Sequence, residues 1–386
     1  MNNRRRILAP RVPGLRTETP GKRNPAPSAA VYHCTSRVVD RRKILGFAEK
    51  EKFVRFMREY EAFCQVRVLT YCVMGNHFHI LVEVPEPPED RGRSWSDERF
   101  LGHLSARYRG AELAALAARL RGFRERGLDK AAEEFRQKFF ARMWDLSWFM
   151  RLLKQRFAQW YNYRGSPGGG KRDGYLWSDR FRSVIVEPGR AVRAVAAYID
   201  LNPVRAGLAE DPAGYRWCGY GEAAAGGRRA REGLGLVVLG FLAGRTGAAA
   251  AEKCSKWEDA GRIYRWTMFL DGEENFRNLS KGRAGIPRAK VLRALAESGE
   301  FSGAELRFRR ERMRRFGEAL ALGSGDFVDG IRDSLARGKD GGGRSGGSGG
   351  GSAKRRKDRS GGKDRSGGED GWLRILRGSK TEAAVP

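Results

Sequence analysis

Two of the four histidines in this chain lie two residues apart in an apolar segment typical of a β-strand. Side chains alternate between faces along a strand, so the rings of His77 and His79 are expected on one face and Phe78 on the other. Two convergent neutral imidazoles can bind a divalent cation and leave coordination positions open for a phosphoryl oxygen. The alternative is a polar pair on the exposed face of a half-buried sheet, because so short a motif also arises by chance.

A second pair, Tyr198 and Asn202, lies four residues apart at the end of a predicted helix that begins at Ala191. Residues at this spacing share a helix face. The phenol oxygen of a tyrosine can act as a covalent nucleophile, and the amide oxygen of Asn202 could complete the ligand shell of a cation. The alternatives are a core aromatic for Tyr198 and a helix cap for Asn202.

Several cationic and aromatic residues between the two pairs in the sequence are candidates for DNA contacts. The cationic side chains could bind phosphates, and the aromatic rings could stack on unpaired bases. These candidates are Arg180, Arg182, Arg156, Lys154 and Trp177. The alternative is equally ordinary: charges on a solvated face and aromatic rings in the core. Glu83 shares the strand face of the two histidines, where it supports a metal site or simply ends the strand in solvent.

Hydrophobic periodicity predicts the elements that position these residues. Val66–Met74 and His77–Val84 are β-branched runs joined by Gly75 and Asn76, a connection that predicts a hairpin. The other predicted elements are a strand over 31–39, a helix over 48–63, a helix capped by Asp145, a strand over 177–187 and the helix from Ala191. This order predicts an α+β fold, a ferredoxin-like (RRM-like) antiparallel sheet with helices on one face, plus a helical C-terminal extension.

Composition divides the chain into four regions. They are a flexible basic arm over 1–30, a core domain over 31–220 with a helical insertion at about 95–144, a basic helical region over 221–337, and a disordered tail over 338–386. Within the third region, helices are predicted over 233–244 and 290–337. The tail is rich in Gly, Ser, Lys and Arg and cannot bury a core.

The charge of the chain points to a polyanionic partner. Lysine and arginine number 75 against 46 acidic residues, a formal net charge of +29. No segment is long and apolar enough to span a membrane, and the basic N-terminus lacks the apolar stretch of a secretory signal, so we expect a cytoplasmic protein that binds no membrane. Five scattered cysteines without a CxxC pair argue against a zinc site.

Four stretches together resemble the single-tyrosine transposases of the HUH superfamily, and more closely the REP-associated tyrosine transposases. They are YHCTSR at 32–37, MGNHFHILV at 74–82, LWSDRFRS at 176–183 and YIDLNPVRAGL at 198–208. The resemblance covers about residues 31–220 and makes this region the catalytic domain. The helical insertion at 95–144 departs from the most compact members of the family.

The resemblance implies a transposase that cleaves and rejoins single-stranded, hairpin-forming DNA. It assigns His77 and His79 as ligands of Mg²⁺ or Mn²⁺, Asn202 as the third ligand, and Tyr198 as the nucleophile that forms a 5′-phosphotyrosine. It leaves open whether the protein acts as a homodimer. Two other functions remain as alternatives: a domesticated, non-catalytic protein that binds single-stranded nucleic acid, and a metal-dependent phosphodiesterase in which water replaces Tyr198 as nucleophile.

Overall fold

The strands in the described part of the protein form one sheet with an antiparallel core. A computed structural model describes residues 29–164, 174–246, 256–272, 285–297, 319–340 and 374–377. The described strands are β1 (Ala30–Arg37), β2 (Arg67–Val73), β3 (His77–Val84), β4 (Arg182–Val186), β5 (Ala319–Gly323) and β6 (Arg374–Arg377). Their order across the sheet is β2-β3-β1-β4-β5-β6. The first four pair antiparallel, β4 and β5 pair parallel, and β5 and β6 pair antiparallel. The predicted α+β class and ferredoxin-like sheet are confirmed, and the sheet continues beyond β4.

Helices account for most of the other described residues. They are α1 (Phe47–Phe63), α2 (Asp97–Leu104), α3 (Gly110–Glu125), α4 (Asp129–Phe140), α5 (Leu146–Tyr163), α6 (Arg190–Asp200), α7 (Asn202–Arg205), α8 (Gly219–Ala224), α9 (Arg228–Thr246), α10 (Trp257–Gly272), α11 (Arg288–Glu297) and α12 (Gly325–Asp340). The helices predicted to begin near residue 48, after Asp145 and near Ala191 therefore form as α1, α5 and α6.

Helices α1 and α5 cover one face of the sheet, as the ferredoxin-like pattern predicts. Phe53 and Met57 on α1 are fully buried because the apolar residues of this helix recur at helical spacing. Asp145 caps α5 by accepting a hydrogen bond from the backbone N–H of Trp148. Both helices pack with Phe78 of β3 in one hydrophobic cluster, so the side chain between the two histidines belongs to the core.

The predicted insertion at 95–144 forms α2, α3 and α4 and enlarges the same cluster. Phe100 is fully buried and contacts Phe139 and Phe140, with ring centroids 5.6 Å and 5.4 Å apart. The buried guanidinium of Arg136 donates to Asp97 across 3.1 Å. The insertion is therefore part of the core on this side of the sheet.

Helices α6, α9 and α10 pack against the opposite face. Leu69, Leu81 and Val184 point from β2, β3 and β4 into a second cluster that includes Val195 and Ile199 of α6. Helices thus lie on both faces of the sheet. The sequence prediction of helices on one face is correct for α1 and α5 but did not include this second layer, which is formed by the predicted helix α6 together with helices from the region after 220.

Three segments differ from their predicted structure. The predicted helix over 290–337 is interrupted by β5, where Ala321 and Leu322 are fully buried beside β4. The predicted disordered tail contains β6. The predicted strand over 177–187 is regular only from Arg182 onward. Residues 1–28, predicted to be a flexible arm, lie outside the described residues.

Within the described ranges, no helix combines the length and the apolar character that a bilayer crossing demands.

Candidate active site

The two histidines of β3 lie on the same face of the sheet, as the strand period predicts. Their ring centroids are 5.1 Å apart and the rings are nearly perpendicular. His79 is 8 % exposed, whereas Phe78 between them is fully buried on the other side. The Nδ1 atom of His77 hydrogen-bonds the amide oxygen of Asn76 at 2.7 Å. The turn of the hairpin thereby orients the first of the two rings.

A third histidine, which the sequence analysis did not assign, completes this cluster. His33 of β1 is buried, and its Nε2 atom lies 2.9 Å from Nδ1 of His79. The two rings stack with centroids 5.2 Å apart. The strand register explains the contact: Thr35 lies opposite His79 on the neighbouring strand, so His33 is the diagonal neighbour of His79 on the same face.

Burial keeps all three imidazoles in the neutral form near neutral pH. Loss of solvation lowers the pKa of His33 to about 4. Burial also lowers the pKa of His77 to about 4, with a smaller contribution from the charge of Arg37. The pKa of His79 is well below its usual value because the ring is buried beside the other two histidines and Arg37. Neutral imidazole is the form that binds a metal ion.

Tyr198 of α6 lies over this histidine cluster. The centroid of its ring is 5.8 Å from that of His79 and 6.3 Å from that of His33, in both cases edge to face. The guanidinium of Arg205, on α7, lies 5.2 Å from the centroid of the Tyr198 ring. The structure therefore brings together the tyrosine and the histidines, which the sequence separates by more than a hundred residues.

Asn202 lies one turn after Tyr198, where α6 ends and α7 begins. Its side-chain amide donates hydrogen bonds to the backbone carbonyls of Tyr198 at 2.9 Å and Ile199 at 3.3 Å. Asn202 thus caps the end of α6, which is the alternative role that the sequence analysis gave it. The side-chain carbonyl oxygen of Asn202 has no hydrogen-bond partner among the described residues, so this residue can cap the helix and still offer an oxygen to a cation.

A buried carboxylate fixes the helix that carries Tyr198. Asp200 accepts hydrogen bonds from the Thr70 hydroxyl at 2.9 Å, the Tyr220 backbone N–H at 3.1 Å and the Tyr264 hydroxyl at 2.5 Å. These donors belong to β2, α8 and α10. Burial raises the pKa of Asp200 to about 6, although the three donors act in the opposite direction.

Replacing Asp200 with alanine is expected to lower the free energy of unfolding by about 2–4 kcal/mol, because three buried donors lose their acceptor together. Chemical denaturation measures this loss. Asp259→Ala is the control, since Asp259 pairs only with Arg262 at the surface of α10. Equal stability of the two variants would contradict the anchoring role of Asp200.

Arginines surround the cluster on the same face of the sheet. Arg37 lies opposite His77 in the strand register, and Arg182 lies opposite Thr35 on β4. Both are exposed at the strand ends. Together with Arg205 they place positive charge beside the histidines and the phenol. Of the predicted DNA-binding residues, Arg182 is the one that the structure places here.

Two other predicted DNA-binding residues, Trp177 and Lys154, lie elsewhere. Trp177 packs against Phe78, with ring centroids 5.4 Å apart, and its Nε1 donates to the Lys154 carbonyl at 3.1 Å. Lys154 donates to the backbone carbonyl of Asp179 at 2.7 Å, and burial lowers its pKa to about 8. Both residues lie on the α1–α5 side of the sheet, so they take the ordinary structural roles that the sequence analysis gave as alternatives.

Arg156 and Glu83 are also separate from the histidines, whereas Arg180 is exposed two residues before Arg182. Arg156 lines a cavity on the helical side of the protein. Glu83 pairs with Arg67 of the neighbouring strand at the far end of β3, which matches its reading as a strand end and removes it from the metal site.

The histidine cluster is not a complete cage of strong metal ligands. Over the described residues, no three side chains among His, Cys, Asp and Glu are arranged to hold a metal ion. His33 bonds to His79 instead of converging with it. Any cation at His77 and His79 therefore takes its remaining ligands from other groups, such as an amide, water or phosphate.

Comparison with known proteins identifies the sequence around the histidines. Residues 27–89 match the family described as "Transposase IS200 like". A solved structure described as a REP-associated tyrosine transposase bound to a REP hairpin is similar at 14% identity and a TM-score of 0.32, covering 53% of this chain and 86% of the other. No curated protein sequence matches. The family match includes His33, His77 and His79 and ends before Tyr198. Over residues 27–89, this chain is therefore similar to the IS200-like transposase family, in agreement with the resemblance to single-tyrosine transposases that the sequence motifs indicate.

Proposed function

We propose that this protein is a transposase-type DNA strand transferase that cleaves and rejoins single-stranded, hairpin-forming DNA through a 5′-phosphotyrosine. The observation that carries the proposal is the contact of the Tyr198 ring with the rings of His79 and His33. A potential nucleophile, a potential metal ligand and the histidine bonded to that ligand therefore meet on one face of the sheet. The family match at residues 27–89 and the net charge of +29 support DNA as the substrate.

The histidines fit a divalent cation such as Mg²⁺ or Mn²⁺. Hydrogen bonds occupy the Nδ1 atoms of His77 and His79, whereas their Nε2 atoms have no hydrogen-bond partner among the described residues. Asn202 supplies an amide oxygen as the third ligand. When bound, the cation polarises a phosphoryl oxygen and neutralises the charge that develops during displacement.

In the cleavage step, the phenol oxygen of Tyr198 forms a bond to phosphorus and the bond from phosphorus to the 3′ oxygen breaks. The phenol loses its proton and the departing 3′ oxygen gains one. The guanidinium of Arg205, beside the Tyr198 ring, places positive charge where the phosphate must approach the phenol. Because the phosphotyrosine keeps the energy of the broken ester, a 3′-hydroxyl can later attack it and rejoin the strands.

His33 has a positioning role in this proposal. For Nε2 of His79 to donate its lone pair to a cation, Nδ1 of His79 must carry the proton and donate it to Nε2 of His33. The proton of His33 then lies on Nδ1, which is buried without a hydrogen-bond partner in the described structure. His33 accordingly selects the tautomer of His79 and holds its ring in place.

His33→Phe is expected to weaken Mn²⁺ binding about 10- to 100-fold, because the ring stacking remains but the hydrogen bond to His79 is lost. Isothermal titration calorimetry without DNA measures this effect. His33→Gln is the matched variant, since its side-chain oxygen can accept the same proton, and it should recover most of the affinity. If His33→Phe binds Mn²⁺ as tightly as the unaltered protein, His33 has no positioning role.

The test of the proposed function uses labelled single-stranded hairpin DNA and Mn²⁺. The expected product is a protein–DNA adduct that survives denaturing gel electrophoresis, together with a free 3′-hydroxyl on the released strand. Binding without cleavage would indicate the non-catalytic binding protein. Cleavage without an adduct would indicate a phosphodiesterase that uses water. Either result would overturn the proposal.

A further inference from the structure

A basic cavity lies outside the candidate active site. It has a volume of about 520 Å³ and opens between α1, α5 and the loop that joins α2 to α3. We call it the insertion groove, because the 95–144 insertion forms one of its walls. Since α1 and α5 cover the face of the sheet opposite the histidines, the groove and the histidine cluster are separated by the sheet.

The charges that line the insertion groove are unbalanced. Its lining includes five cationic and two acidic side chains. The two acidic ones are already paired: Glu59 with Arg55 at 3.1 Å, and Glu112 with Arg107 at 3.6 Å. Three cations are left over.

These three cations are Lys52 on α1, Arg109 before α3 and Arg156 on α5. Among the described residues, no carboxylate lies within ion-pair distance of any of them. They approach the cavity from three separate elements, so their charges add at one concave place. Like charges repel, and such a cluster is stabilised when a polyanion binds.

Aromatic rings line the same groove. Trp160 is half-buried, with the ammonium of Lys52 located 5.6 Å from its ring centroid. Tyr163, at the end of α5, is 80 % exposed. A large ring exposed beside unbalanced cations is the combination that binds single strands, because the cations contact phosphates and the rings stack on unpaired bases. Duplex DNA offers no unpaired base to such a ring.

We propose that the insertion groove is a second binding site for single-stranded DNA, which holds an unpaired segment of the same substrate away from the histidine cluster. This inference rests on single-stranded DNA being the substrate, as proposed above, but not on Tyr198 being the nucleophile. The insertion supplies Arg109 and Arg107, so this binding site depends on a part of the chain that compact relatives lack.

The test measures the affinity of the full chain for an unstructured, fluorescently labelled oligothymidine over a range of salt concentrations. The groove variant is Lys52→Ala with Arg109→Ala and Arg156→Ala. The control variant is Arg121→Ala with Lys130→Ala and Lys138→Ala, three exposed cations of α3 and α4 outside the groove. Both variants lose the same charge, so a difference between them reports the location of the charges.

We expect the groove variant to bind about 10- to 100-fold more weakly at low salt and to lower the slope of log Kd against log salt by about two. The control variant should remain within about threefold of the unaltered protein. Tyr163→Ala should weaken binding about tenfold and Tyr163→Phe should not, because phenylalanine keeps the stacking surface.

Two results would overturn the proposal: equal binding by the groove and control variants, or a full effect of the charges with none from Tyr163→Ala. The second would indicate a purely electrostatic surface that any polyanion can occupy. Neither result depends on the covalent adduct. If the unaltered protein binds oligothymidine through the groove but forms no adduct with hairpin DNA, the proposed chemistry fails and the insertion groove stands.

Discussion

Replacing Tyr198 with phenylalanine is expected to abolish the covalent protein–DNA adduct, with a loss of at least about 10³-fold in the rate of its formation, because no other atom of this side chain can attack phosphorus. The ring remains, and with it the edge-to-face contacts with His79 and His33. The variant should therefore fold normally and bind hairpin DNA with nearly unchanged affinity. Denaturing gels measure the adduct, and fluorescence anisotropy measures the binding.

Tyr175→Phe is the matched control for this experiment. Tyr175 is 91 % exposed in the segment before β4, and it takes no part in the ring contacts between Tyr198 and the histidines, so the same loss of a hydroxyl there should leave the adduct intact. An undiminished adduct in Tyr198→Phe would remove Tyr198 from the reaction. Loss of the adduct together with loss of DNA binding would instead indicate a binding role for this tyrosine.

The combined substitution His77→Ala with His79→Ala is expected to lower cleavage by at least about 10³-fold, since both proposed imidazole ligands of the cation disappear. Both rings are neutral at neutral pH because burial lowers their pKa values. Their removal therefore changes no charge, and salt-sensitive DNA binding should persist. Cleavage assays with Mn²⁺ and calorimetric titration of Mn²⁺ measure the two losses separately.

His103→Gln is the control for the histidine pair. His103, on α2, hydrogen-bonds the Phe63 carbonyl at 2.9 Å and takes no part in the cluster. Glutamine can keep this bond, so cleavage by the control should equal that of the unaltered protein. Retained cleavage in His77→Ala with His79→Ala would contradict the metal site, whatever the outcome for Tyr198.

The sequence was most informative where a local pattern determines the structure. The period of two in β3 placed His77 and His79 on one face, and the Asp145 cap identified the start of α5. Each inference needed only a few neighbouring residues. The ferredoxin-like order then followed, because the topology of a small α+β unit is restricted once its elements are known.

His33 shows what such patterns miss. Its contact with His79 depends on the register between β1 and β3, and the two residues are 46 positions apart. A signal was nevertheless present: a ferredoxin-like sheet places β1 beside β3, and strand alternation puts His33 on the same face as Thr35. Three of the four histidines could have been grouped by that argument before any coordinates.

The sequence predictions that the structure corrects share a physical cause, because each depends on contacts between residues that are far apart in the sequence. β5 lies in a segment of Ala, Leu and Gly with no strand pattern of its own, and it becomes a strand because β4 offers an unpaired edge. Some of the predicted DNA-binding residues are close in sequence to other basic residues but lie on the side of the sheet opposite the histidines. They are Lys154, Arg156 and Trp177. Composition indicates that a chain binds polyanions, but the tertiary fold decides which of its basic residues lie on the same surface.

The hydrogen bonds of Asp200 have a consequence for which partner would move in the proposed strand exchange. Because this carboxylate ties α6 at once to β2, α8 and α10, α6 cannot swing outward without breaking several buried hydrogen bonds together. The phenol of Tyr198, two residues before Asp200, is consequently held in place. In the proposed reaction, the ends of the DNA would therefore have to reach this phenol in succession, and the rate of rejoining would depend on how readily the DNA rearranges.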